Sequence, residues 1–191
     1  LAMGDTDGDG AIELATVVLR KGTESCFPAL YEVSQTGTDV SLALQVVSTD
    51  SLPCESHAPS LADMDGNGTV EVILGATTYR GTDLAIEAEG SSSQGWYNSS
   101  AYGADGYWNS GYHSFAYDMD GDGTDMELVA GATVYNNDGS VYCELGAYYG
   151  DTWYSGADGY AAVGDMLRFS GDISGEPEIV ITGNNYVDVY H

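Results

Sequence analysis

Three short stretches set acidic side chains on alternate positions and follow them with glycine. They are DTDGDGAIE at residues 5–13, DMDGNGTVE at 63–71 and DMDGDGTDME at 118–127. Carboxylates at that spacing converge on one side of a tight loop, and glycine permits the left-handed backbone that wraps the loop around a cation. Several charged oxygen donors in a flexible loop suit Ca2+. Zn2+ draws on Cys and His, and Mg2+, the second choice, keeps more of its own water.

Two kinds of calcium loop share this opening. A helix–loop–helix switch needs a bidentate acid at its twelfth position, where the three stretches hold Thr16, Leu74 and Val129. None of these supplies a carboxylate, and the flanks read as strands, so that reading is excluded. The acid comes at the ninth position instead, on the first residue of the following strand. The first site then comprises Asp5, Asp7, Asp9 and Glu13 with the Ala11 carbonyl. The second comprises Asp63, Asp65, Asn67 and Glu71 with the Thr69 carbonyl. The third has Asp118, Asp120 and Asp122 with the Thr124 carbonyl, but one extra residue puts Met126 at the ninth position. Glu127 follows it, so a small bulge is needed for that acid to reach the ion. A fourth stretch, SGDISGEPE, is eroded and offers a weak site of Ser170, Asp172 and Ser174 closed by Glu178.

The elements that position these loops repeat with them. Glu13, Glu71, Glu127 and Glu178 are separated by 58, 56 and 51 residues. Each opens a short apolar, β-branched run, too short for a helix: ELATVV, EVILGAT, ELVAGAT and EIVITGN. Between the loops lie FPALYEV, VSLALQVV, LAIEAE, VYCELG, YAAVGD and YVDVY as further strands, and NNDGS as a hairpin turn. Four strands per unit at this period predict an all-β chain of about four propeller blades, with approximate units 1–57, 58–112, 113–160 and 161–191. The last unit lacks its outermost strand. Either the chain is part of a longer propeller, or the open edge is completed by another segment or molecule, since bare sheet edges invite pairing. Head-to-tail self-assembly by strand donation is one outcome of such an edge.

Thirty acids against four bases give a net charge of −26. Such a surface repels nucleic acid and anionic membranes, which excludes both as primary partners. It also repels itself when compact, so bound cations would offset a cost of folding. Disorder, the other reading of high charge, is opposed by 43% hydrophobic residues and fifteen tyrosines. No apolar run is long enough to span a membrane. The chain opens almost directly on an acidic loop, without a basic leader region; it reads as a mature or truncated product and leaves secretion open. Cys26 and Cys54 fall in one unit and form the natural disulfide in an oxidising compartment, worth about 3 kcal/mol. Cys143 is then free or intermolecular, and in a reducing compartment all three are buried thiols.

The stretches DTDGDGAIEL, ADMDGNGTVEVILGAT and YDMDGDG…ELVAGAT resemble FG-GAP/VCBS repeats, which build the β-propeller of integrin α subunits and of many bacterial secreted proteins. The resemblance covers nearly the whole chain. It implies that each calcium loop joins the first two strands of a blade, with small residues such as Gly75-Ala76 and Gly131-Ala132 after the second. It also implies an extracellular setting. The family includes adhesins, lectins and non-catalytic modules of polysaccharide-active enzymes, so it does not fix one function. The insertion in the third loop, the eroded fourth loop and fewer than seven blades depart from the pattern.

Between residues 96 and 117 a tyrosine recurs every fifth residue, with Trp96 and Trp108 interleaved; Trp153 echoes them one unit later. Five is neither a strand nor a helix period. One reading is loop packing between blades. The other is a carbohydrate platform with Trp96, Trp108 and Trp153 as stacking anchors. Asn98 heads a glycosylation sequon, and Asn67 heads another but is committed to its acidic loop. His57, His113 and His191 have no partners for a catalytic triad, and the clustered carboxylates are already assigned to calcium. The expected function is therefore a non-catalytic, extracellular binding or adhesion module for carbohydrate or protein. The alternative is a structural subunit of a filament or matrix.

Overall fold

A computed structural model describes residues 1–22, 25–52, 56–91, 110–131, 133–144, 146–149, 152–155, 160–164, 177–182 and 187–190. The chain is all-β, as expected, and no helix occurs among the described residues. None is therefore long and apolar enough to cross a membrane.

The first sheet is an antiparallel meander of β1 (Ala2–Gly4), β2 (Ile12–Leu19), β3 (Cys26–Thr36) and β4 (Asp39–Val47). After β5 (Ser56–Ala58), the second sheet runs β6 (Ser60–Ala62), β7 (Glu71–Leu74), β8 (Thr77–Tyr79) and β9 (Ile86–Glu89) in the same order. Next, β10 (Ser110–His113) pairs in parallel with β5. The third sheet repeats the meander through β11 (Phe115–Tyr117), β12 (Glu127–Ala130), β13 (Thr133–Tyr135) and β14 (Val141–Glu144). A hairpin of β15 (Gly146–Tyr149) and β16 (Thr152–Ser155) follows. The last sheet holds β17 (Tyr160–Gly164), β18 (Glu178–Thr182) and β19 (Val187–Tyr190), three strands among the described residues.

The short apolar runs of β7 and β12 are buried on both faces because each serves two cores. In β7, Val72 and Leu74 pack with Ala15, Leu30 and Leu52 of the first unit. Ile73, pointing the other way on the pleat, packs with Leu128, Ala130 and Tyr135. One unit on, Leu128 and Ala130 face the second sheet while Val129 joins Val134 and Ile179 toward the last sheet. The sheets are thus stacked face to face in chain order. Burying one such side chain fully contributes about 1.5–3 kcal/mol, which is why only apolar residues follow the opening acid in EVIL and ELVA.

Polar contacts tie neighbouring sheets as well. The Ser60 hydroxyl donates to the Ser114 carbonyl at 2.6 Å. Ser91 N–H donates to the Gly139 carbonyl at 2.8 Å, joining the end of β9 to the turn before β14. That turn is the expected NNDGS hairpin: Gly139 N–H donates to Asn136 O at 2.9 Å, and Asn136 N–H to Ser140 O at 2.8 Å. Cys26 is disulfide-bonded and Cys143 is a free, half-buried thiol; Cys54 lies outside the described residues.

Candidate metal centres

Each acidic loop sits between the first and second strands of its sheet, where a meander must reverse direction. The reversal is made by glycines at the fourth and sixth loop positions, all at positive φ: Gly8 and Gly10, Gly66 and Gly68, Gly121 and Gly123. The loop is then held by its own carboxylates. The first-position acid accepts from the sixth-position glycine N–H: Asp5 from Gly10 at 3.0 Å, Asp63 from Gly68 at 2.9 Å and Asp118 from Gly123 at 3.1 Å. The third-position acids Asp7, Asp65 and Asp120 accept from the N–H two residues on, at 3.1–3.2 Å. The fifth-position side chains of Asp9, Asn67 and Asp122 accept from Ala11, Thr69 and Thr124 N–H at 2.7–2.8 Å.

The closing acid is buried and makes the same bond in all three loops. One oxygen, Oε2, accepts the N–H of the second loop residue: Thr6 to Glu13 at 2.8 Å, Met64 to Glu71 at 2.7 Å and Met119 to Glu127 at 2.6 Å. The sequence reading overlooked this role for Thr6, Met64 and Met119, whose only signal is their fixed offset from the first acid. Thr6 also places its hydroxyl 3.2 Å from Glu13 Oε2 and 3.0 Å from the Gly81 carbonyl, linking the first loop to the second sheet.

The other oxygen is what distinguishes the loops. Glu13 Oε1, Glu71 Oε1 and Asp63 Oδ1 are buried and accept no hydrogen bond. Their loops gather Asp5, Asp7 and Glu13, and Asp63, Asp65 and Glu71, with one carboxylate oxygen from each residue of a group within 4.8 Å of the others. Burial first, then the negative charges of Glu87, Asp65 and Asp63, push the Glu71 carboxyl up to about 7. Buried, unpaired carboxylate oxygens beside like charges are costly by themselves. A hard divalent cation answers both costs, and an all-oxygen donor set fits Ca2+.

The third loop gathers Asp118, Asp120 and Asp122, leaving Glu127 out of the group. The extra residue is accommodated before the strand, so Glu127 keeps its bond to Met119 but not its place among the ligands. Burial raises the Glu127 carboxyl all the same. Asp122 is exposed and held low by the Thr124 N–H and then the Thr124 hydroxyl. In the first loop Asp9 stands outside the group of three.

No family model matches this chain, and no curated protein matches it. Its fold has a relative in a solved structure. The crystal structure of the V. cholerae biofilm matrix protein Bap1 superposes with a TM-score of 0.50 at 15% identity, over 98% of this chain and 36% of that one. The chain spans about a third of that protein's length, and the likeness is one of fold.

The remaining expected site residues are less defined. Glu178 is buried at the start of β18, but Asp172 and Ser174 lie outside the described residues. So do Trp96, Trp108 and Asn98. Trp153 lies in β16 with its backbone opposite Tyr148.

Proposed function

We propose that this chain is a calcium-stabilised β-propeller segment of FG-GAP/VCBS type, acting as a non-catalytic extracellular adhesion or matrix module. The observation that carries the calcium reading is the pair of buried closing acids, Glu13 and Glu71, each holding one oxygen on a backbone N–H and the other on nothing. Asp5, Asp7 and Glu13 would hold one ion, and Asp63, Asp65 and Glu71 another. Asp118, Asp120 and Asp122 would hold a third in a more open loop. The ion's contribution is charge neutralisation and a fixed loop, with no chemistry on a substrate.

The face-to-face stack of meanders, with β1 beside β6 and β6 beside β11, supports the propeller reading. The fold likeness to a protein described as a biofilm matrix component supports the matrix role. Carbohydrate or an extracellular protein is the proposed partner. The test is calorimetric titration of chelator-stripped protein with CaCl2, then a matrix-polysaccharide pull-down with and without calcium. Binding of at least two ions, weakened at least tenfold loop by loop in Glu13→Gln and Glu71→Gln, is expected. No heat, or unchanged heats in both variants, removes the calcium reading; absence of polysaccharide and protein capture removes the adhesion reading.

A further inference from the structure

Contacts that use none of the ligand carboxylates join the second acidic loop to the third. Met64 is bonded in two directions. Its N–H donates to Glu71 Oε2 at 2.7 Å, and its carbonyl accepts the Met126 N–H at 2.8 Å. Glu71 belongs to the second acidic group, and Met126 holds the ninth position of the third loop. The two methionines also pack in one core between the second and third sheets, with Ile73 and Leu128. A further contact lies alongside. The Gly66 backbone sits so close to the Thr124 carbonyl, the expected backbone ligand of the third loop, that no Cβ fits between them.

The first loop reaches the second sheet by other means. The Thr6 hydroxyl lies 3.0 Å from the Gly81 carbonyl, and Gly81 is packed between the Thr6 and Val70 carbonyls. Among the described residues no backbone hydrogen bond of the Met64–Met126 kind joins the first loop to the second.

We propose that the second and third sites fill as a coupled pair, a cation in the second loop raising the affinity of the third. The inference rests on the calcium reading and adds regulation to it. Glu127 stands outside the third acidic group, so that loop lacks the acid that would anchor an ion to the strand. Ordering a loop costs conformational entropy. A cation on Asp63, Asp65 and Glu71 fixes Met64, and through it Met126 and the segment beside Thr124. The third site then binds into a loop already held at one end, which lowers the ordering cost of the second ion. Electrostatics acts with the opposite sign, because filling one loop removes negative charge beside the next. The acids of the third loop are exposed or half-buried, so water and salt screen that repulsion and the backbone link prevails.

Titration with CaCl2 followed by the amide NMR signals of Gly10, Gly68 and Gly123 tests it. These N–H groups donate to the first-position acids of the three loops, so each reads one site. Asp65→Asn/Glu71→Gln empties the second loop at matched charge. Three acids with Ca2+ bound leave a net −1, and Asp63 alone leaves −1 as well. In that variant the third site should lose about fivefold or more in calcium affinity, and the first site less. Met126→Pro deletes the linking N–H. In its background the same double substitution should move the third site by less than about twofold. An ester in place of the Met126 amide makes the same deletion without the ring and replaces the proline variant where near-ultraviolet circular dichroism shows that variant unfolded. A third site that titrates alike in parent and Asp65→Asn/Glu71→Gln overturns the inference. So does an equal loss at the first site, which is general loosening, or a loss that survives deletion of the Met126 N–H. Calcium binding at three independent sites sinks only the coupling. Absence of a calcium-dependent shift at all three glycines sinks the calcium reading and the coupling with it.

Discussion

Met126 donates its backbone N–H to the Met64 carbonyl at 2.8 Å, so the third acidic loop is fastened to the second. Met126 occupies the ninth position of its loop, the place the closing acid holds in the other two. The residue that displaces Glu127 from the acidic group is the one that joins the loops.

This contact predicts unequal effects for two similar substitutions. Gly66 lies at φ +68°, and a Cβ there would stand 2.6 Å from the Thr124 carbonyl oxygen. Gly8 lies at φ +78° with nothing within 4 Å. Gly8→Ala should cost about 1 kcal/mol from backbone strain alone, and Gly66→Ala about 2–3 kcal/mol because the loop contact must also give. Urea melts of the two variants check the difference, and equal costs would mean that the loops are not coupled.

Calcium affinity should differ between loops. With Glu127 outside its ligand group, the third site is the weakest of the three, and Glu127→Gln should leave its binding nearly unchanged. Glu71→Gln should weaken the second site at least tenfold. Calorimetry of both variants against the parent distinguishes this from three equivalent sites.

The metal-free protein should lose stability as pH rises from about 4.5 to about 7. The Glu71 carboxyl ionises near 4.5 in an unfolded chain and near 7 when folded. Between those values the folded state binds the extra proton, so raising the pH favours unfolding. Saturating calcium needs the carboxylate and should reverse the slope. Thermal melts at several pH values, with chelator and with calcium, read the sign directly.

Ile73 is fully buried between the second and third sheets. Ile73→Ala should cost about 2–5 kcal/mol, against less than about 0.5 kcal/mol for Leu42→Ala on the exposed face. Chemical denaturation measures both.

Cys143 packs beside the core between the third and last sheets, and burial raises its thiol above the ordinary value. Alkylation at pH 8 should therefore be slower than for an unfolded control, and should accelerate when Val129→Ala loosens that core. Mass spectrometry over a time course gives both rates.

The strands were legible because burial on two faces left no choice of residue type. After its opening acid each of EVIL and ELVA is wholly apolar, and that acid marks where the strand begins. The acidic clusters were legible in part for the same reason: the carboxylate spacing brings Asp5, Asp7 and Glu13 together, and likewise Asp63, Asp65 and Glu71, while Asp9 and Glu127 stay outside their groups. What the sequence did not disclose lies between distant segments. The parallel pairing of Ser56 with Ser110 leaves no local pattern, because the partners are separated by a whole sheet. Nor could spacing tell that Met126 would bond Met64, since a backbone donor has no side-chain signature.

The alternation along β7 bears on how such a chain can drift during evolution. Val72 answers to one neighbour and Ile73 to another, so a change of volume at either must be accepted by a different unit. The second and third units are each held by two sets of such agreements. A tolerated change of volume there should therefore come with a compensating change in a neighbouring unit.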